Sequence, residues 1–271
     1  MSRVTDSNRA AWVATPGPSF AGGDGTFTAD FVGRSVGTPV AIGALIDGNT
    51  VTKASPTIEV VAGTISTERS IVSSSANTVT AGDTVVLSLK GIDDFDRELV
   101  GGGRAIVFDH SGGASTGTVI PPSAIDNDDG TYTAYFVGQT AGTATTIGAT
   151  IDGASVTSTL PTVAVMPGAA STSESTATVA DDTLAVGGAT TITLQARDAF
   201  GNDITVGGLD VEFALQTGDG VSEGTLGSTT DNGDGTYTAT FTAVTAGSPV
   251  AILATIDGQS VTSVPPTITV Q

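Results

Sequence analysis

The sequence superimposes on itself when it is shifted by 105 residues (234 − 129 = 105; 129 − 24 = 105). The segment Asp234-Gly-Thr-Tyr-Thr-Ala-Thr-Phe241 has a counterpart at Asp129-Gly-Thr-Tyr-Thr-Ala-Tyr-Phe136 and another at Asp24-Gly-Thr-Phe-Thr-Ala-Asp-Phe31. The same step carries Ile46-Asp47-Gly48 to Ile151-Asp152-Gly153 and Ile256-Asp257-Gly258, and Pro56-Thr57 to Pro161-Thr162 and Pro266-Thr267. Read this way, the frame holds without insertion or deletion. Self-similarity at a fixed long period describes an array of copied domains. Function is then expected in the array, through its length, stiffness and surface, and not in one catalytic pocket.

A unit of this length can bury its own core. The frame places complete units at 64–167 and 168–271. Each opens on a Ser/Thr-rich run and closes on Pro-Thr and a hydrophobic strand, Pro161–Val165 and Pro266–Val270. The junction Met166-Pro167-Gly168 is short, and proline fixes φ, so a semi-rigid connection is expected. Residues 1–63 correspond to the C-terminal half of a unit, preceded by a divergent segment that holds the sole tryptophan, Trp12. Half a sandwich exposes core and strand edges. Either the chain is a piece of a longer repeat protein, or a neighbouring chain completes the half.

Within a unit the hydrophobic period is two. Tyr237, Ala239 and Phe241 share one face, and Thr236, Thr238 and Thr240 the other; Val211, Phe213 and Leu215 alternate with Glu212 and Ala214. Short alternating runs broken by Gly, Asp and Asn predict an antiparallel sandwich. No segment carries a helical stripe of useful length. An all-β fold of about seven antiparallel strands per unit follows, the number expected of an immunoglobulin-like β-sandwich of this size.

Composition narrows the partners. There are 28 Asp and Glu against 9 Lys and Arg, a net charge of −19. Such a surface repels nucleic acid and anionic lipid, and favours solubility, cation binding or a saline medium. Without cysteine, disulfides, thiolate metal sites and thiol nucleophiles are excluded. No apolar run is long enough for a membrane helix, and no basic–apolar–small leader is read at the start.

The run Leu194–Asn202, then Gly207-Gly208-Leu-Asp-Val211-Glu-Phe213, Asp231–Phe241 and Ala246-Gly247 resembles bacterial immunoglobulin-like repeats of the invasin and intimin kind. It is also similar to the filamin-type repeat, which shares the Asp-Gly-Thr-Tyr strand. The 64–167 unit matches at Leu89, Asp93, Phe95, Gly101, Gly102, Phe108 and Asp126–Phe136, and departs at Asp96-Arg97, where the later unit has Gly201-Asn202. The departure is expected to change the turn and leave the fold intact. The resemblance covers 24–271. It implies tandem sandwiches in surface adhesins, stalks and filaments, and brings no catalytic residues.

Candidate sites are few. Asp126, Asp128 and Asp129, with Asp231 and Asp234, form oxygen-rich clusters that suit calcium. They lack the spacing of a full EF-hand loop, and Asp-Gly hairpin turns account for them equally well. Asp93, Asp94 and Asp96, matched by Asp198 and Asp203, form a second acidic cluster on a loop near one end of the sandwich, where interdomain calcium is one reading and a solvated loop the favoured one. Asp109-His110-Ser111 holds the residue types of a hydrolase triad, but neighbours on a strand point to opposite faces, so no chemistry is assigned. Gly101-Gly-Gly103 and Gly207-Gly208 lack the context of a phosphate cradle and read as turns. Tyr132 and Tyr237 fall in phase with the core.

The expected function is a structural and adhesive one, in an extracellular stalk, fibre or surface filament, with no enzyme activity and no obligatory cofactor. Neighbouring copies of the repeat are the expected partners, with a surface receptor or glycan as a further one. A ligand-binding adhesin module would need exposed aromatics on loops 198–208 or 216–230, where Phe200 stands alone. A phage decoration or tail protein, located on a virion, is the remaining alternative.

Overall fold

The computed structural model describes residues 20–21, 26–33, 36–218 and 221–271. Trp12 and Asp24 lie outside the described residues. Residues 71–166 build two sheets. One runs in the order Thr116–Asp126, Thr131–Thr140, Thr84–Lys90 and Ile71–Ser74. The other runs Ile106–Ser111, Thr145–Ile151, Thr162–Met166 and Thr78–Thr80. Residues 176–270 repeat the arrangement. Thr176–Val179, Ala189–Gln195, Thr236–Thr245 and Glu223–Leu226 form one sheet, and Thr183–Leu184, Thr267–Val270, Val250–Ile256 and Val211–Leu215 the other. The described strands of 64–271 pair only within their own sandwich.

The alternation decides which side faces inward. Val85, Leu87 and Leu89 pair across the ladder with Phe136, Ala134 and Tyr132, and all six are buried. Burying one large apolar side chain contributes about 1.5–3 kcal/mol, so these rows hold the sheets face to face. Tyrosine, and not phenylalanine, stands at 132 and 237 because each hydroxyl has a partner. It accepts the amide of Arg104 at 3.2 Å and of Leu209 at 3.0 Å. Burial pushes the Tyr132 phenol up from its ordinary value.

Two details differ from the sequence reading. First, each sandwich contains one parallel pairing, Thr78–Thr80 with Thr162–Met166 and Thr183–Leu184 with Thr267–Val270. The opening strand leaves one sheet after Ser74 and joins the other at Thr78, so more strands appear than seven. Second, the offset is not constant. The Ser115 hydroxyl donates to Gly142 O and accepts Val165 N–H; Ser222 does the same with Gly247 O and Val270 N–H. These equivalents stand 222 − 115 = 107 apart. The loop after Val211–Leu215 carries two extra residues, and the path from Leu226 to Thr230 is two shorter than its counterpart, which restores the frame at Asp231.

The described strands before residue 61 pair two by two: Phe20–Ala21 with Phe27–Thr28, Gly37–Ala41 with Thr57–Val60, and Leu45–Ile46 with Asn49–Thr50. Phe27, the counterpart of buried Tyr132 and Tyr237, is 68% exposed.

Candidate functional site at the joint between the sandwiches

Asp93 and Asp198 are not the solvated loop residues the sequence suggested; both are buried. Asp93 Oδ2 accepts the Gly63 amide at 2.7 Å and Arg97 Nε at 2.7 Å. Its Oδ1 accepts the amides of Phe95 and Arg97, each at 2.9 Å. Burial by itself pushes this carboxyl up. The amides of Gly63, Arg97 and Phe95, with the Arg97 guanidinium, outweigh it and hold the pKa down to about 2. Asp198 repeats the grip. It accepts the amides of Gly168 at 2.9 Å, Phe200 at 2.8 Å and Asn202 at 2.9 Å, and the Asn202 carboxamide N–H at 2.9 Å. Its carboxyl is likewise held below the ordinary range against the effect of burial. In both units one carboxylate ties the incoming chain, at Gly63 or Gly168, to the loop of its own sandwich.

Among the described residues, the later loop reaches across the joint. Asn202 Nδ2 also donates to Gln139 O at 2.8 Å, and its Oδ1 accepts the Ala141 amide at 2.8 Å. Two residues earlier, the Phe200 ring stands on Gly82 of the preceding sandwich. Gly82 has φ +93°, and a Cβ there would come within 3.0 Å of Phe200 Cε2. A cleft of about 350 Å³ remains beside this contact, lined by Ala141, Met166, Pro167 and Asn202 among others. The carboxamide and the ring are therefore the specific links between sandwiches. Phe200, the one aromatic on the loops where a ligand-binding module would need them, is 51% exposed and packs on Gly82 at the joint.

At the corresponding place in the 64–167 unit, Arg97 turns inward. Its Nε binds Asp93, and its guanidinium lies 4.9 Å over the Phe95 ring, which is 75% exposed. Asp96 pairs with Arg69 and Asp203 with Arg197, both on the surface.

Four of the five nominated calcium carboxylates, those of Asp126, Asp129, Asp231 and Asp234, are engaged with the backbone, while Asp128 gives its amide to Asp126. Asp126 accepts the amides of Gly103 at 2.5 Å and Asp128 at 2.9 Å; Asp231 accepts those of Gly208 at 2.7 Å and Gly233 at 2.8 Å. A Cβ on Gly102 or Gly207 would overlap the carboxylate, at 2.1 and 2.4 Å. The glycine run is thus a cradle, filled by the chain's own aspartate. Asp129 and Asp234 each accept the hydroxyl and amide of the threonine two residues on, Thr131 and Thr236, which lowers both carboxyls. Positive φ falls on Asp128 and Gly130, and on Gly233 and Gly235, not on Asp129 or Asp234. Among the described residues, no three His, Cys, Asp or Glu side chains gather as a ligand group. His110 Nε2 lies 3.0 Å from Gly117 O with its ring edge on Phe136 at 5.3 Å, while Asp109 faces Gly148, so the triplet does not converge.

Sequence reasoning missed Asn202. The signal available was the change from Arg97 to Asn202 in loops that share the aspartate and the phenylalanine, Asp93 and Phe95 with Asp198 and Phe200. Arginine only donates, whereas a carboxamide donates and accepts.

Residues 171–271 match the family described as Invasin, domain 3. Among solved structures, the chain is similar to FdeC, described as a broadly conserved Escherichia coli adhesin. The two are 23% identical over 100% of this chain and 85% of that one, with a TM-score of 0.55. It is also similar to invasin, described as a bacterial integrin-binding protein, with 21% identity over 92% of this chain and a TM-score of 0.50. The chain spans 48% of the length of that invasin structure. No curated protein sequence matches. The unit at 171–271 is thus a match to the third domain of invasin, and the chain has the tandem immunoglobulin-like fold of bacterial adhesins.

Proposed function

We propose that this chain is a structural and adhesive segment of a bacterial surface protein, a stack of immunoglobulin-like sandwiches that projects and orients an adhesive end. The observation that carries this is the joint. Asp198 fixes the incoming chain at Gly168, Asn202 spans Gln139 O and Ala141 N, and Phe200 caps Gly82. A linker would need none of these contacts. Each cross-joint hydrogen bond contributes about 0.5–1.5 kcal/mol, enough to favour one orientation over a swinging pair. The net charge of −19 keeps such stacks apart. The turn carboxylates Asp126, Asp129, Asp231 and Asp234 serve in this reading as backbone locks, with Asp128 lending its amide to Asp126 and no metal required.

The test is a distance measurement between spin labels, one in each complete sandwich. The chain has no cysteine, so two engineered cysteines label cleanly. A single narrow distribution is expected; a spread as wide as that of a free linker would defeat the reading.

A further inference from the structure

We infer that the far pole of the 168–271 sandwich is a socket for another immunoglobulin-like unit, one that carries an Asp-x-Phe-Gly-Asn loop like Asp198–Asn202. The inference rests on the proposed function, because it extends the same joint chemistry to a second surface. It starts from the face that the loop already covers. In the 64–167 sandwich that face comprises the turn at Gly82, Gln139 O and Ala141 N–H. Three backbone bonds shape it: Ala81 N to Met166 O at 2.9 Å, Gly82 N to Gly138 O at 2.8 Å, and Gly142 N to Val165 O at 3.1 Å.

The later sandwich builds the same face bond for bond. Val186 N donates to Gln271 O at 3.2 Å, Gly187 N to Ala243 O at 2.9 Å, and Gly247 N to Val270 O at 3.1 Å. Gly187 has φ +83°, close to the +93° of Gly82, and nothing lies within 4 Å of the position its Cβ would take. Where Phe200 sits on Gly82, the site on Gly187 is open. Val244 and Ala246 stand where Gln139 and Ala141 offer their carbonyl and amide. The carbonyl and amide belong to the backbone, so the change from Gln139 to Val244 does not remove the receiving groups.

The side chains around this socket favour an aromatic plug. Val186 is 58% exposed and Val244 50% exposed, in place of Ala81 and Gln139. Two valines beside an open glycine form a more apolar rim than the one Phe200 already occupies. Covering them with a phenylalanine removes apolar area from water. The carboxamide two residues on then supplies register. The occupant is therefore defined by chemistry: an aromatic followed two residues later by a side chain that both donates and accepts.

The experiment extends the full chain after Gln271 with Pro-Gly and a second copy of 169–271, which reproduces the Met166-Pro167-Gly168 connection. Spin-label pairs are placed across the native joint and across the new one. The expected result is a distribution across the new joint as narrow as across the native one. Asn→Ala in the loop of the added copy, or Val244→Arg in the socket, is expected to widen it at least twofold. A narrow native joint with a broad new joint overturns the socket and leaves the proposed function intact. A broad native joint defeats the proposed function itself. Concentration-dependent association of the unextended chain, abolished by Val244→Arg, would also overturn the inference, because the Asp198–Asn202 loop of each copy is already engaged in its own joint and a different surface would then be the occupant.

Discussion

Loops 93–97 and 198–202 begin from the same buried aspartate and end in different places. In both, a carboxylate collects the incoming glycine and the amides of its own turn. In the first, the last residue is Arg97, whose charge is drawn back onto Asp93 and over Phe95. In the second it is Asn202, which spends one hydrogen bond on Asp198 and two on the preceding sandwich. A buried carboxylate next to a guanidinium makes a closed ion pair. Next to a neutral carboxamide, it leaves hydrogen-bonding capacity to face outward. The loops differ at three positions, and the last of them, Arg97 against Asn202, separates a side chain drawn back onto its own loop from one that couples two sandwiches.

The largest effect is expected from removing the carboxylates. Asp93→Ala leaves Arg97 unpaired at a site where its side chain is 13% exposed, so its sandwich should lose about 3–5 kcal/mol, the cost of breaking a buried pair. Asp198→Ala strands only neutral donors, and about 2–3 kcal/mol is expected. Urea unfolding of each variant, followed by a reporter in each sandwich, measures both. Equal losses would show that the ion pair adds nothing beyond the amide bonds, and the contrast drawn between the loops would fail.

Acid provides the next test. Asp93 titrates at about 2 in the folded chain against an ordinary value of 3.8. A depressed folded pKa means stability that is complete above the ordinary value and lost as pH falls through the folded one. The Asp93 contribution should therefore hold near pH 4, weaken toward pH 2 and vanish below it. Asp198 shifts in the same direction. Side-chain carboxyl NMR shifts report each group. A midpoint for Asp93 near its ordinary value would show that the four hydrogen bonds only cancel the effect of burial, and one above it that burial wins.

Much of this architecture was readable from the residues. The alternation Tyr132-Thr-Ala-Tyr-Phe136 named its buried face correctly, because a half-buried strand has a period of two and nothing else competes. The doubled Asp-Gly-Thr-Tyr segments set the 105-residue frame. Less was readable at the loops. Asp93 and Asp198 looked solvated because acidic loop residues usually are; their burial depends on an amide 30 residues earlier, at Gly63 and Gly168. The compensating two-residue shifts around Ser222 were invisible, since motifs on either side kept the 105-residue spacing. Asp126 and Gly102 were noticed separately, as a calcium candidate and a turn. Only the fold brings the carboxylate onto the glycine amides.

Replacing the coupling residue should act on the joint more than on the domain. Asn202→Ala removes two bonds across the joint, at a cost of about 1–3 kcal/mol for the pair. The spin-label distribution between the sandwiches should broaden. Asn202→Arg should broaden it as much, because a guanidinium cannot accept the Ala141 amide. Arg97→Ala is the control: it should leave that distribution unchanged while destabilising its own sandwich. If Arg97→Ala widens the joint as well, coupling depends on the stability of the sandwich it leaves, and Asn202 has no special part in it.

Calcium should have the smallest effect, and it bears on whether the two units differ at their other acidic loop. Asp126 and Asp231 already place both oxygens on amides, and Asp129 and Asp234 each give an oxygen to a threonine. An ion would have to compete with these bonds in turns the chain has already closed. A site with a dissociation constant near 1 mM would add about 1.4 kcal/mol at 10 mM calcium, and each kcal/mol moves the midpoint of a domain this size by roughly 4–8 °C. The locks predict a shift below about 1 °C in both sandwiches, measured by calorimetry with calcium and with chelator. The loops differ at one position, Asp128 against Gly233, so the 64–167 unit holds one more carboxylate. A rise confined to that unit and removed by Asp128→Gly would show that the third aspartate converts a turn lock into an ion site.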